Sequence, residues 1–373
     1  MTDPRFQKLA KVLVQYCLDV QKKDLVLIRA GLPSAPLVRE VFREVLEAGG
    51  HPITRIALPG ATEIFYETAK KHQLEFVSPV AEHEIDQIDK LLAIRSTENT
   101  KALTNVDPSK QTAVARSQSG LRQQYQDRVA AGELDWCVTQ FPCNASAQDA
   151  EMSLEEYEDF VLRACLVHKS NPVAAWKGIK RKQAKLCRYL DDVKKIRIVK
   201  SGTDISMRVA GRTWINSDGR HNMPSGEIFT GPIEDSVEGK IAFTFPACYG
   251  GREVHDVILT FQRGRVVKAT ASKGEDFLRS MLDTDDGAKF VGEIAVGTNY
   301  AVEKFTKNTL FDEKIGGTIH MAVGSSYPQS GGLNKSGIHW DMVADMREGG
   351  KIYADGKMIY KDGQFTLGQR RTK

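Results

Sequence analysis

The chain has 373 residues, of which 41% are hydrophobic and 27% are charged, a balance that excludes a disordered chain and a membrane protein. Its 52 lysines and arginines nearly offset its 48 aspartates and glutamates, so the net charge of about +4 gives no reason to expect a nucleic-acid partner. The length favours two domains.

The first half of the chain alternates helix and strand patterns. Helices are predicted over residues 5–20, 35–48, 112–131 and 154–168, and short apolar strands over residues 25–30, 52–58, 90–96 and 135–142. Short strands separated by long helices are typical of βαβ units on a parallel sheet. We therefore predict an α/β N-terminal domain with a largely parallel sheet over residues 1–192. No G-x-G-x-x-G motif follows the first strand, so a dinucleotide site is not expected.

The second half has a different pattern. The basic run over residues 176–195 is interpreted as a solvated helix that closes the first domain. Of the 31 glycines, only seven lie before residue 200, and alternating residues between the later glycines indicate antiparallel strands. These strands are predicted within residues 196–220, 240–250, 256–272, 317–324 and 351–365, with one helix over residues 274–282. We predict an α+β C-terminal domain over residues 193–373.

The cysteines and the N-terminus indicate a cytoplasmic location. The six cysteines are scattered without a C-x-x-C pair, which favours reduced thiols: Cys17, Cys137, Cys143, Cys165, Cys187 and Cys248. Acids and bases are interspersed in the first 20 residues, unlike the uninterrupted apolar run of a signal peptide. No run reaches 18 apolar residues, so no membrane partner is expected.

Chemistry-bearing residues concentrate near the end of the chain. The stretch "SGIHWDMV" places His339 and Asp341 two residues apart, in a chain with eight histidines. On a strand, residues i and i+2 point to the same face, so this pair shares one face and Trp340 points away from it. Imidazole and carboxylate groups are good ligands for divalent metals. Alone, the pair is better explained by a surface strand with an incidental ion pair.

Three further groups lie in unusual surroundings. His320 is in the apolar strand "GGTIHMAVG", where an imidazole requires a partner. Glu293 is in the apolar segment "FVGEIAVGTN", where a carboxylate requires a cation. Glu227 follows a Ser-Gly turn, which can project one acidic side chain. Two of them have a simple alternative: His320 could be a hydrogen-bonded core histidine, and Glu227 an ordinary turn residue.

Together, two histidines and three carboxylates suit a pair of divalent metals with one bridging carboxylate. Such sites activate water, polarise a carbonyl and stabilise an oxyanion. Tyr327, in "SSYPQSGG", precedes a proline and could donate to that oxyanion; otherwise it anchors the turn. The antiparallel strands of the C-terminal domain would then carry the metal site.

Four segments together resemble one family. They are "NMPSGEIFTGPIEDSVEG", "VGEIAVGTN", "LFDEKIGGTIHMAVGSSYP" and "GIHWDMV". Their order is similar to that in the aminopeptidase T/aminopeptidase S family of dinuclear metalloaminopeptidases, the thermophilic metalloprotease type. The resemblance is strong over residues 222–373 and looser over the first half. It implies an N-terminal α/β domain, a C-terminal domain with two metals, a homodimer, and peptide substrates with a free N-terminus.

The resemblance also implies roles for residues. The implied metal ligands are Glu227, Glu293, His320, His339 and Asp341, with Glu293 bridging the two ions. Tyr327 matches the family's active-site tyrosine, and Glu313 matches a glutamate near the site. Either Glu293 or Glu313 would be the general base. The implied reaction is attack on the first peptide carbonyl by a hydroxide activated by two ions, which could be Zn²⁺, Co²⁺, Mn²⁺ or Mg²⁺.

Two other functions are compatible with parts of this pattern. The first is a mononuclear Fe(II) ring-cleaving dioxygenase related to dihydroxypyridine dioxygenases, which would use a two-histidine, one-carboxylate site. The presence of both Glu227 and Glu293 argues against it. The second is a non-catalytic member of the same fold, which the repulsion within a buried acid cluster disfavours.

Overall fold

A computed structural model of the protein describes residues 3–367; residues 1–2 and 368–373, at the ends of the two predicted domains, lie outside the described part. The α-helices of the described part are α1 (Pro4–Val12), α2 (Ala35–Glu47), α3 (Ala61–Thr68), α4 (Lys71–Leu74), α5 (Pro79–Gln87), α6 (Pro108–Ser117), α7 (Ser119–Ala130), α8 (Asn144–Asp149), α9 (Leu154–Ala164), α10 (Pro172–Asp191), α11 (Glu275–Leu282) and α12 (Thr309–Asp312). None of the described helices is long and apolar enough to cross a membrane.

The strands of the described part are mostly short. They are β1 (Leu25–Gly31), β2 (His51–Ala57), β3 (Lys90–Arg95), β4 (Asp135–Gln140), β5 (Lys195–Lys200), β6 (Thr203–Arg208), β7 (Ile215–Ser217), β8 (Asn222–Met223), β9 (Glu227–Thr230), β10 (Glu238–Ala242), β11 (Ala247–Tyr249), β12 (Arg252–Val254), β13 (Ile258–Gln262), β14 (Arg265–Thr270), β15 (Val291–Gly297), β16 (Thr318–Gly324), β17 (His339–Asp345), β18 (Lys351–Ala354), β19 (Lys357–Lys361) and β20 (Gln364–Phe365).

Local sequence explains where several helices begin and end. Ser153 and Glu156 form a capping box at the start of α9, in which each side chain accepts a hydrogen bond from the other residue's backbone N–H. The single helix predicted over residues 112–131 is in fact two helices, α6 and α7, that meet at Gln118. The sequence there, Ser-Gln-Ser-Gly, contains weak helix formers, so the helix is easily interrupted.

The chain folds into two compact units. The first unit comprises Met1–Ala175 and Gly219–Pro224. Its sheet has the strand order β2-β1-β3-β4-β8, and every neighbouring pair of strands is parallel. The predicted parallel α/β sheet is therefore confirmed. The last strand, β8, comes from a much later part of the chain than the other four.

The second unit comprises Trp176–Asp218 and Ser225–Lys373. It contains an eight-stranded antiparallel sheet of order β14-β13-β10-β6-β5-β18-β19-β20 and a five-stranded antiparallel sheet of order β17-β16-β15-β9-β7. Alternate apolar residues of both sheets belong to one buried cluster, for example Ile198 from the first sheet and Met321 from the second. The predicted antiparallel C-terminal architecture is confirmed. We call the five-stranded sheet the site sheet.

Candidate metal centre

The register of the site sheet brings the five predicted metal ligands to one face. Ala322 of β16 pairs with both Glu293 of β15 and Asp341 of β17, so these three side chains share a face. His320 and His339 lie two residues from Ala322 and Asp341 on their own strands and therefore point the same way. The partner of Glu227 on β15 is Gly297, four residues beyond Glu293, which places Glu227 on this face as well.

A shift of register puts Glu293 on that face. Val291 pairs with Val323, but Glu293 pairs with Ala322 rather than with Met321, so β15 bulges at Gly292. With regular alternation, Glu293 would point the same way as Val291, which packs in the apolar core. A side chain on Gly292 would lie 2.2 Å from the carbonyl oxygen of Ser325, so the bulge requires glycine.

The opposite face of the site sheet packs in the core. Trp340 is 1% exposed, and its ring lies 5.7 Å from that of Tyr249 and 5.8 Å from that of Phe277. Ile294 and Ile319 are buried on the same side. The core thus supports the ligand strands from behind, and Trp340 faces away from the site as strand alternation predicts.

The side chains on the site face form a chain of close contacts. Nε2 of His320 lies 3.2 Å from Oε1 of Glu293 and 3.4 Å from Oε2 of Glu227. Nε2 of His339 lies 3.4 Å from Oδ2 of Asp341 and 3.8 Å from Oε2 of Glu293. Glu293 therefore directs one carboxylate oxygen towards each histidine.

The backbone on either side of Glu227 is firmly held. Gly226 has φ +112°, and a side chain there would lie 2.7 Å from Cβ of Asn299, so only glycine suits this turn. The amide of Gln183, on α10, donates to the carbonyl oxygen of Glu227 at 2.8 Å and to Oδ1 of Asn216 at 2.7 Å. The basic run that the sequence presents as a solvated helix thus contributes one buried side chain that fixes the start of β9.

Glu313 lies at the same site, next to a buried lysine. Glu313 follows α12, and its carboxylate forms an ion pair with Nζ of Lys314. The same Nζ lies 3.0 Å from Oε1 of Glu227, and the Lys314 side chain is 1% exposed. Glu313 and Asp341 both line a small cavity, which makes Glu313 the more accessible of the two candidate general bases.

Charge within the cluster shifts the pKa values of both histidines upwards. Burial lowers the pKa of His320, but the carboxylates of Glu293, Glu227 and Glu313 outweigh it and raise this pKa to about 9. Burial likewise opposes the carboxylates around His339, but Asp341 and Glu293 raise its pKa to about 10. An environment that favours protonated histidines is strongly negative and attracts cations.

The carboxylates respond to the same surroundings in different directions. Burial raises the pKa of Glu293 and raises that of Glu313 well above its usual range. The pKa of Asp341 is lowered: burial works against ionisation, but the positive charge of the protonated His339 imidazole outweighs it. Burial of Lys314 is outweighed by Glu227 and Glu313, which raise the pKa of its ammonium group.

Tyr327 borders the cluster from a loop. It is 47% exposed and precedes the short 3₁₀ helix Pro328–Ser330. Its ring centroid lies 5.3 Å from that of His339 and 5.4 Å from that of Phe229. The phenol is therefore next to the ligand strands and still reachable from solvent.

The donor set fits divalent metal ions. Oε2 of Glu227, Oε2 of Glu293 and Oδ1 of Asp341 are buried, and among residues 3–367 no group donates a hydrogen bond to them. Buried carboxylate oxygens without donors are strongly unfavourable unless a cation neutralises them. Two groups offer ligand atoms that lie within 4.8 Å of one another: Glu227, Glu313 and His320, and Glu293, His320 and Asp341. Oxygen and imidazole ligands in this mixture suit first-row divalent ions.

Two residues of this site, Lys314 and Gln183, are not predicted from the sequence. Lys314 follows the acids of "LFDEK" and resembles an ordinary surface lysine; its one distinguishing signal is the apolar and glycine-rich segment that follows it. Gln183 lies in a polar helix and carries no signal. Both act through contacts between elements distant in sequence.

Comparisons with known proteins show similarity to metalloproteases and aminopeptidases. A family model described as thermophilic metalloprotease (M29) matches residues 2–365. Aminopeptidase 2 of Geobacillus stearothermophilus is 25% identical over an alignment of 414 positions, gaps included, that covers 98% of each chain. Wild-type AmpT from Thermus thermophilus superposes with a TM-score of 0.85 at 23% identity, over 98% of this chain and 99% of that one.

A second solved structure is less similar. The 2,5-dihydroxypyridine dioxygenase from Pseudomonas putida KT2440 has a TM-score of 0.57 at 12% identity, over 98% of this chain and 97% of that one. At these identities, both structural matches show a shared fold and nothing more.

Proposed function

We propose that this chain, which belongs to the thermophilic metalloprotease (M29) family, is a metal-dependent aminopeptidase that removes N-terminal residues from peptides. The family makes it a peptide hydrolase. The observation that carries the proposal is the convergence of buried acceptor oxygens without donors on Glu227, Glu293 and Asp341 beside two histidines.

The proposed cofactor is a pair of divalent ions, which could be Zn²⁺, Co²⁺, Mn²⁺ or Mg²⁺. Glu227 with His320 would hold one ion, and Asp341 with His339 the other. Glu293 has one oxygen near each histidine, so we propose it as the ligand shared by both ions. Divalent ions bound there would supply an activated water and polarise the substrate carbonyl.

The chain's own residues would complete the site. Tyr327 would donate its phenolic proton in a hydrogen bond to the developing oxyanion. Glu313, which lines the small cavity, would take up a proton at its carboxylate and pass it to the leaving amine. We assign this role to Glu313 rather than to Glu293 because Glu293 is enclosed between the histidines.

We further propose a homodimer located in the cytoplasm. The dimer rests on the family resemblance, and the location rests on six cysteines that show no disulfide framework in the sequence.

Chelation is expected to abolish hydrolysis. Protein purified with its metals should release p-nitroaniline from Leu-p-nitroanilide and N-terminal residues from a varied peptide panel, and EDTA should reduce both rates to background because the site loses its ions. Adding back Zn²⁺, Co²⁺ or Mn²⁺ should restore activity. Metal analysis separates the alternatives: about two ions per chain support the peptidase. One iron per chain together with oxygen-dependent ring cleavage would indicate the dioxygenase. Absence of both bound metal and hydrolysis would indicate a non-catalytic protein.

Replacement of Tyr327 by phenylalanine is expected to lower kcat by about 10²-fold, the usual effect of removing one oxyanion donor. Metal content should not change, because the phenol is not one of the proposed ligands. Tyr300→Phe is the matched control, since Tyr300 is also half-exposed and its hydroxyl donates to the carbonyl oxygen of Gly363. Full kcat in the Tyr327→Phe variant would remove Tyr327 from the mechanism.

A further inference from the structure

The two halves of the candidate metal centre differ in one buried charge. Nζ of Lys314 lies 3.0 Å from Oε1 of Glu227 and also forms an ion pair with Glu313. These two acids lie on one side of the centre. The other side consists of Asp341 and His339, with Glu293 between the two sides, and the structure shows no ion pair between these residues and Lys314.

We propose that Lys314 makes the two metal positions unequal, so that the position at Glu227 and His320, next to Lys314, binds a divalent cation more weakly than the position at Asp341 and His339. The inference rests on the proposed metal-dependent function and assigns to this chain an order of metal loading. The side without the lysine fills first, and the side with it fills second.

Two effects of Lys314 oppose each other. Its ammonium group holds one oxygen of Glu227 and one of Glu313, and such outer contacts orient ligands and typically strengthen metal binding 10- to 100-fold. The same positive charge, buried among its partners, already neutralises part of their charge and repels a divalent ion that approaches them.

Repulsion is expected to be the larger effect. Glu227 is also held by its backbone, through the Gly226 turn and the Gln183 amide, so it depends little on Lys314 for its orientation. A charge that is 1% exposed is poorly screened by solvent, so its effect on a nearby ion is large. Lysine at this place therefore weakens the second position more than it organises it.

The experiment is a titration of metal-free protein with Co²⁺, followed by calorimetry and by visible absorption. Wild-type protein should bind two ions in distinct steps, the second at least tenfold weaker than the first. Lys314→Met should strengthen the second step at least tenfold and leave the first within about threefold. Lys314→Gln keeps a hydrogen-bond donor without the charge and should behave similarly; it also provides a second variant in case the methionine impairs folding. Lys180→Met, which removes an ion pair to Asp218 elsewhere in the same unit, should leave both steps unchanged.

The outcomes separate this inference from the proposed function. Equal affinities for both ions in wild-type protein, or a weaker second step in both Lys314 variants, would overturn the role of Lys314 and leave the metalloenzyme intact. Uptake of one ion by wild-type protein and of two by Lys314→Met would also support the role of Lys314, because the lysine would then prevent the second ion from binding at all. Absence of Co²⁺ binding in every protein would overturn the metal site itself.

Discussion

Replacement of Glu293 by glutamine is expected to lower peptide hydrolysis on the order of 10³-fold or more and to remove bound metal. Glu293 is 5% exposed and directs one oxygen towards His320 and the other towards His339. A neutral amide of nearly the same size would keep the packing but would offer one weak ligand atom in place of two charged oxygens. Activity, metal content and Co²⁺ affinity would be measured on the same preparations.

The loss of activity should not reflect unfolding. In metal-free protein, Glu293 is a buried acid among other acids, and burial raises its pKa, so its charge does not favour the fold. Glu293→Gln should therefore be at least as stable as wild type in thermal denaturation with EDTA present. Glu303→Gln, an exposed position in the same unit, serves as the control and should keep full activity. A Glu293→Gln variant that kept both ions and full activity would contradict the shared-ligand role.

The sequence alone predicts the site residues that lie together on one regular strand. His339 and Asp341 share a face because side chains alternate along β17, and this alternation requires no knowledge of neighbouring strands. The short turn at Gly226 similarly marked Glu227, since its glycine and the acid that follows are adjacent in the chain. Both features depend only on residues that are close together in the chain, so the sequence is enough to predict them.

The sequence alone does not predict side-chain orientations and contacts that depend on neighbouring strands or on the folded chain. The face of Glu293 depends on the bulge at Gly292, and regular alternation would have placed its carboxylate in the core. Lys314 lies in an irregular segment and reaches Glu227 only after the chain has folded. The apolar segment around Glu293 indicated that its carboxylate needs a partner, the family resemblance supplied Glu313, and no pattern supplied Lys314.

The fold, like the site, has parts that the sequence predicts and a part that it does not. Alternating helices and strands predicted the parallel sheet, and glycine-rich alternation predicted the antiparallel strands. The sequence could not show that β8, from Asn222–Met223, pairs with β4, because this pairing joins residues 84 positions apart, and two residues carry little periodicity.

Substitutions of the adjacent residues Trp340 and Asp341 on β17 are expected to have different effects: the first on stability, the second on metal affinity. Replacing Trp340 by alanine should lower the free energy of unfolding by about 3–5 kcal/mol, the usual effect of removing a large buried aromatic side chain. Trp340 is 1% exposed and packs against Tyr249 and Phe277. Trp340→Phe should recover most of this stability. Urea denaturation of metal-free protein, with EDTA present, measures the difference without any contribution from bound ions.

Replacing Asp341 by asparagine should have the opposite pattern. Its carboxylate pairs with His339 at 3.4 Å, and its lowered pKa means that its charge contributes stability to metal-free protein near neutral pH; repulsion from Glu293 offsets part of this, so the asparagine variant should lose stability but lose less than Trp340→Ala. Co²⁺ affinity should fall at least tenfold, because one charged ligand is lost. If Asp341→Asn unfolded the metal-free protein as strongly as Trp340→Ala does, Asp341 would be a structural residue. Unchanged Co²⁺ affinity would remove it from the ligand set, and with it the proposal that β17 divides its two faces between core and metal.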